Sequence, residues 1–477
     1  EQFNENTTEN KYFYRNDIIL IPTCLSQNIS NRRSYAKNLN PFTRTWGVIS
    51  DEVKSGFKKR PFTYPEHTDV VVVGGGFIGL SVAYWLKIRA GDGLSIVVLE
   101  KDPALVNSHN TFSHGVITQH FSLPENIFLS QYSAEFLRNI NDHFKDNVDV
   151  KFCPHGTLLL ASEKYADKLE HNVILQKEHG IRNTLLTVEE IQSRYPWVNT
   201  SGIKLGCIST ETEGVFDAQA LLRALIKKTQ EQGTIYLNAE VTDFEMDAQR
   251  DVLMEGVTPG SFEKINRLLY KTEDNEEIAL KFAACVIAAG SESTDVAKLA
   301  KIGTGDGLLT VPLPIEKREY NVYSIENTEN KMSFGLGFPF IMDTSGLWLR
   351  RNGLQSNLIS GQIPSLDKNL DISNREIFNS CLYNRFPDSQ NTEVKVIATE
   401  YTDCNTYDDT GIIGPHPYHT NLFFATGFGR QGVHHAPAIG KAVAELIIDC
   451  QYTTIDLTRF GFDRLLIDEP LIEFNVY

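Results

Sequence analysis

No stretch of this chain reaches the roughly 18 consecutive apolar residues of a membrane-spanning helix, and glycines break the most apolar segment, which opens near Thr68. Basic charge is scarce. Lys and Arg number 45 against 61 Asp and Glu, a formal net charge of -16, so the clustered cations that neutralise nucleic-acid phosphates are missing. There is no C-x-x-C pair. The seven cysteines (Cys24, Cys153, Cys207, Cys285, Cys381, Cys404, Cys450) are odd in number and scattered. They read as reduced thiols, not as a disulfide framework or a zinc site. The acidic stretch 403–409 is too loosely spaced for a cation site, so no metal is expected. No internal repeat is present, and low complexity is confined to the Asn-rich start of the chain.

What is present is length and one strong motif. At 477 residues the chain exceeds the ~250–300 residues at which one core stops growing, so two domains are expected. Val70, Val71, Val72 and Val73 form a continuous apolar run, the mark of a strand buried on both faces. Gly74, Gly76 and Gly79 follow as G-x-G-x-x-G, then Ile78, Val82, Ala83 and Leu86 at helical spacing, then a second apolar run, 96–99, ending in Glu100. Gly74 allows the tight turn, Gly76 lets a pyrophosphate approach the backbone, and Gly79 lets helix and strand pack closely. The helix start offers free N–H groups and partial positive charge to phosphates. Glu100 falls at the spacing of an acid that accepts hydrogen bonds from ribose hydroxyls. Alone, this unit supports a dinucleotide site with NAD and FAD both open.

Residues 1–65 are expected to form an N-terminal extension outside the core fold. Its Arg32, Arg33, Ser34 and Tyr35 faintly suggest the end of a transit peptide, against which Glu1, Glu5, Glu9 and Asp17 argue. Residues 123–144 read as helical, 164–179 as an amphipathic helix, and Thr187 with Glu190 as a capping box. A helix is expected over 217–232, a hairpin over 268–281, and a buried strand at 285–289. Alternation at 320–325, 346–350 and 357–361 predicts antiparallel strands of a second sheet. Residues 422–425 return to a buried strand, followed by Gly427, Gly429 and Gly432 and a helix expected to start near Ala436. The fold class is α/β: a Rossmann-type dinucleotide-binding domain with a second α+β domain whose sheet is mainly antiparallel. The expected boundaries are 66–150, 213–310 and 396–477 for the first, and 151–212 and 311–395 for a substrate or cap domain.

The Val-Gly-Gly-Gly-x-x-Gly unit, Val286-Ile-Ala-Ala-Gly290 and Ala425-Thr-Gly-Phe-Gly-x-x-Gly-Val-x-x-Ala-Pro437 together resemble the D-amino-acid oxidase superfamily of FAD enzymes. Glycine oxidase, sarcosine oxidase and dimethylglycine dehydrogenase belong to that group. Phe121-Ser-Leu-Pro-Glu-Asn126, Asp343-Thr-Ser-Gly346, Gly414-Pro-His-Pro417 and Thr453-Thr-Ile-Asp-Leu457 are similar to a mitochondrial branch of it associated with assembly of respiratory complex I. The resemblance runs from about residue 66 to the end of the chain.

The resemblance implies FAD as the cofactor, with Gly74, Gly76, Phe77, Ile78 and Gly79 on the pyrophosphate and Glu100 with Lys101 at the ribose. It places Val241 against adenine, and Ala289 and Gly290 at the strand end bordering the cofactor. Ser113, His114 and Gly115, and Gly427, Gly429, Arg430, Gly432 and Val433, fall beside the flavin ring. Ser113 stands where the dimethylglycine dehydrogenase branch carries its flavin-linking His, so FAD is expected without a covalent bond. Glu292 takes the place of a usual Trp. No Lys matches the oxygen-activating Lys of sarcosine oxidase-like enzymes, which favours a dehydrogenase or a weakly catalytic flavoprotein.

For substrate, Arg351 and Arg430 are candidates to clamp a carboxylate, and His434 and His435 to titrate near neutral pH or cap the last helix. Tyr320, Tyr323 and Tyr401 are candidates to line a pocket. Two readings follow from the resemblance: an assembly factor for complex I, partnered by its subunits or assembly intermediates in the matrix or on the matrix side of the inner membrane, and an FAD-dependent dehydrogenase or oxidase of an amino acid or N-methyl amino acid.

Overall fold

Both faces of Val70–Val73 are covered, which is why four valines stand there in a row. In the computed structural model, which describes residues 63–102, 115–210, 212–326, 334–335, 337–352, 357–363 and 375–474, this strand lies at the centre of an eight-stranded sheet. The order is Glu277–Lys281, Glu263–Thr272, Ile235–Ala248, Ile96–Glu100, Val70–Val73, Ala284–Ile287, Leu422–Thr426 and Ile412–Pro415. The middle five strands are parallel, and the antiparallel pairings sit at the two edges.

Val70 and Val72 point to one face, where they pack with the helices Phe77–Ala90, Ala218–Glu231 and Gly432–Asp449. Val71 and Val73 point to the other, toward Leu268, Ala297 and Ile302. The last long helix lies so close to the first that a Cβ on Gly440 would stand 2.4 Å from the Ser81 backbone. The indole N–H of Trp85 donates to the Pro437 carbonyl at 2.8 Å across the same contact. A segment beginning more than 300 residues downstream therefore completes the domain that Val70 opens.

The second sheet runs Glu393–Asn405, Ile315–Glu326, Leu358–Gln362, Leu347–Arg351, Phe340–Met342, Thr157–Ala161, Leu205–Ser209 and Asn183–Leu186. It is antiparallel except between Phe340–Met342 and Thr157–Ala161. One face packs on Phe378 and Leu382 of the helix Arg375–Arg385. The other holds Tyr320, Val322, Trp348 and Ile359 and meets Val116 and Val215. Those two residues pair in a short ribbon, Val116–Ile117 with Gly214–Val215, beside the dinucleotide domain.

Several boundaries move. Residue 396, expected to open the last segment of the dinucleotide domain, lies inside Glu393–Asn405, which pairs along its length with Ile315–Glu326 of the second sheet. The expected helix over 123–144 is two, Pro124–Arg138 and Ile140–Phe144, interrupted at Asn139. The last helix starts at Gly432, four residues before Ala436, because Gly432 and Val433 already take helical geometry and Pro437 is accepted inside it. The Thr187–Glu190 capping box is present, with both reciprocal bonds made. Among the described residues no helix is long and apolar enough to cross a membrane. The expected extension, up to residue 62, lies outside the described residues.

Candidate cofactor and substrate site

Three adjacent parallel strands run into glycine turns at the same edge of the first sheet: Val70–Val73 at Gly74, Ala284–Ile287 two alanines before Gly290, and Leu422–Thr426 at Gly427. Ligands of open parallel sheets bind in such a crevice beyond the strand ends. The glycines divide by role. A Cβ on Gly74 would stand 2.2 Å from the Ala288 carbonyl oxygen, and one on Gly79 2.0 Å from that of Gly74. These two are demanded by backbone packing. A Cβ on Gly76 or Gly290 would meet no atom within 4 Å. These two face open space that a ligand can fill.

Gly76 is the N-cap of Phe77–Ala90, which has no side-chain cap and no acidic residue in its first turn. Its leading N–H groups, at Phe77, Ile78 and Gly79, are therefore unopposed donors for phosphate. At the neighbouring strand end, buried Glu100 accepts the N–H of Gly75 at 2.7 Å and of Asp102 at 2.9 Å. Burial pushes its carboxyl upward while those two N–H groups act the other way. Each oxygen keeps a lone pair for a hydroxyl. Lys101, expected at the ribose, forms an ion pair with Glu292. The pair joins the segments after two strands that flank Val70–Val73. Val241 lies half-buried opposite Tyr270, at a bulge in Ile235–Ala248. Ala289 precedes the turn at Gly290, whose φ is +54°.

On the far side of the crevice, Gly427 and Gly429 take φ of +81° and +56°. Gly432 and Val433 belong to the first turn of Gly432–Asp449, which likewise has no side-chain cap and no acid there. Burial lifts the Asp409 carboxyl to about 6, against the opposing charges of Arg430 and Arg318. Gly115 is packed so tightly that a Cβ would lie 2.1 Å from the Phe216 oxygen. Ser113 and His114 lie outside the described residues.

The substrate candidates change most. Arg351 is on the face that carries Leu347 and Leu349: its Nη1 donates to the Gly335 carbonyl at 2.9 Å and its guanidinium lies over Phe334. Arg350, one residue earlier, is on the opposite face, beside Trp348. It is buried, and burial lowers its guanidinium to about 10 although Glu400 and Asp217 act to hold the charge. Tyr401 is half-exposed with Lys317 over its ring, whereas Glu400 is fully buried and accepts the Tyr320 hydroxyl at 2.8 Å. Tyr323 stacks on Phe378 in the core at 3.8 Å. His434 and His435 are buried in the last helix against Phe121. Burial drives His435 well below its ordinary range, so it stays neutral. Neither histidine is a cap or a solvent-facing base.

Two further residues escaped sequence reading. The Thr402 hydroxyl is buried, has no hydrogen-bond partner among the described residues, and lies 3.5 Å from where a Cβ of Gly429 would stand. Asp403 accepts the N–H of Gly427 at 2.7 Å. The signal for Glu400 and Thr402 was strand alternation, since both flank the exposed Tyr401; Arg350 carried none, because both faces of its strand are buried.

A glycine-edged crevice over a parallel sheet, beside a second sheet bearing a buried guanidinium and carboxylate, is the arrangement of a dinucleotide-dependent oxidoreductase. The chain belongs to the DAO family of FAD dependent oxidoreductases, which it matches over residues 69–446. It is 41% identical over 422 residues to the FAD-dependent oxidoreductase domain-containing protein 1 homolog of Drosophila melanogaster, covering 87% of this chain and 82% of that protein. Among solved structures it is similar to L-proline dehydrogenase from P. horikoshii, with a TM-score of 0.68 at 21% identity over 86% of this chain and all of that one. Glycine oxidase from Geobacillus kaustophilus follows, with a TM-score of 0.63 at 18% identity over 83% and 98% of the two chains. At these identities the structural likenesses show the fold. The cofactor is FAD, and the open space at Gly76 and Gly290, the uncapped helix starts and Glu100 fit it.

Proposed function

We propose that this chain is an FAD-dependent oxidoreductase acting on the C–N bond of an amino acid or N-methyl amino acid. When bound, FAD supplies the acceptor for a hydride leaving the carbon next to nitrogen. The observation that carries the reading is Arg350. A buried guanidinium is costly to desolvate, and this one stands on the sheet face turned toward the dinucleotide domain, near Glu400 and Asp217. Arg350 holds the substrate carboxylate through its planar fork, and the Trp348 and Val322 surfaces exclude water around it. Tyr320 and Glu400 provide a hydroxyl and a carboxylate for the amine side. FAD is held without a covalent link. The test is anaerobic bleaching of the bound flavin by a panel of amines and amino acids. No bleaching by any member ends the reading. Arg350→Met should raise the KM for the bleaching substrate by about 30-fold or more, as expected for loss of a buried charged hydrogen-bond partner.

A second reading has its own observation. Glu393–Asn405 is the edge of the second sheet; Phe428 bridges it at Cys404, and among the described residues no strand pairs with the rest of its outer side. Val396 and Tyr401 are exposed along it. An open edge of this length is a site for adding a partner strand. With the resemblance to the complex I assembly branch, it supports a role as a mitochondrial assembly factor that docks complex I subunits or intermediates there, on the matrix side of the inner membrane. Co-purification from mitochondria tests this. Absence of complex I subunits from the isolated protein counts against it, and their loss on Val396→Pro locates the surface.

A further inference from the structure

A carboxylate that the scheme above does not use lies under the flavin-side turn. Asp403 belongs to Glu393–Asn405, in the second sheet, yet its Oδ2 accepts the N–H of Gly427 at 2.7 Å and the Thr426 hydroxyl at 3.5 Å. The backbone of Phe428 and Gly429 lies close enough to favour its charged form as well. Positive φ at Gly427 and Gly429 bends the chain so that successive N–H groups converge, which makes an anion-binding concavity. The protein fills that concavity from its own side. Thr426 extends the network: its Oγ1 lies 2.8 Å from the Ser293 hydroxyl and 3.3 Å from the Gly290 carbonyl oxygen, which competes with Asp403 for its single proton. Two glycine turns at the ends of neighbouring parallel strands thus meet at one half-buried acid. Burial raises Asp403 to about 6, against the donated N–H groups, so it is ionised at neutral pH.

The N–H of Gly427 is therefore already spent on a protein anion. The positive end of Gly432–Asp449 remains for the cofactor.

We propose that Asp403 is a positioning residue for the flavin half of the site: it holds the 427–429 turn in its open shape and keeps a negative charge beneath it that disfavours reduction of bound flavin. The inference rests on the assignment of FAD to this crevice.

Three full-length proteins loaded with FAD test it. Asp403→Asn keeps shape and one acceptor oxygen but loses the charge. Its FAD affinity should stay close to that of the unaltered protein, while its preference for reduced flavin rises about tenfold, a midpoint potential about 30 mV higher for a two-electron couple. Asp403→Glu keeps the charge but displaces it by a methylene. It should retain the original potential and bind FAD about tenfold more weakly as N–H bonds lengthen. An unchanged potential in Asp403→Asn, or a raised one in Asp403→Glu, overturns the proposal. Should Asp403→Asn fail to fold, Asp403→Glu decides alone. Failure of the unaltered protein to bind FAD would instead overturn the cofactor assignment.

Discussion

Gly76 and Gly79 are three residues apart and answer to different physics. At Gly79 a methyl group collides with backbone, so Gly79→Ala should lower the melting temperature and abolish FAD binding together. At Gly76 the methyl enters empty space. Gly76→Ala should leave the cofactor-free protein within about 1 kcal/mol of its stability, the usual scale for an N-cap change, while FAD affinity falls. Thermal melts with and without FAD separate the two. His120 offers a pH test. Burial alone would lower its imidazole, but the Glu213 carboxylate, 3.5 Å from Nε2, and then the Cys207 thiol lift it to about 9. Its folded pKa lies above the unfolded value of about 6.5. The stabilisation is therefore complete below that pH and is lost as pH rises toward 9. Melts from pH 6 to 9.5 should show the decline, and His120→Gln should flatten it. The residue scale also shows why Arg351 was legible as a candidate and Arg350 was not. Both faces of Leu347–Arg351 are buried, so hydrophobic alternation carries no mark of which face meets the cofactor. The same one-residue ambiguity separates Tyr401 from Glu400.

Elements with a one-sided burial pattern or a local cap were legible, as with Ala218–Glu231, capped by Asp217, and Val188–Arg194, capped by Thr187. The start of Gly432–Asp449 was not, because two glycines and a proline are poor helix formers held there by packing against Phe77–Ala90. The segment after that helix is held by charge. Arg464 donates to Asp408 from Nε at 2.7 Å and Nη2 at 3.0 Å, both side chains are buried, and Asp408 also accepts from Asn405 and the Leu471 N–H. Asp408→Ala should destabilise by about 3–5 kcal/mol because the buried guanidinium loses its counter-charge. Adding Arg464→Met should recover part of the loss in denaturant titrations.

At the scale of the molecule, three glycine motifs far apart in sequence announced a discontinuous dinucleotide domain. The strand order of the second sheet was not legible, since its strands come from 157–209 and 315–405 and pair across that gap. A chain ended at residue 310 keeps the motif at Gly74 but loses Leu422–Thr426 and Gly432–Asp449, exposing Val82 and Leu86 of the first helix. It should bind no FAD and aggregate, as read by flavin fluorescence and gel filtration.

The distance between the two halves of that domain also sets a clock. Val73 and the end of Gly432–Asp449 are separated by 376 residues (449 − 73). At about 5–20 residues per second, a ribosome needs roughly 20 to 75 s to cover them. Throughout that interval the nascent chain carries an apolar helix face with nothing to cover it and a nucleotide crevice missing one wall. Cofactor capture is thus deferred until Gly432–Asp449 has been made, and until then the exposed face is open to chaperones.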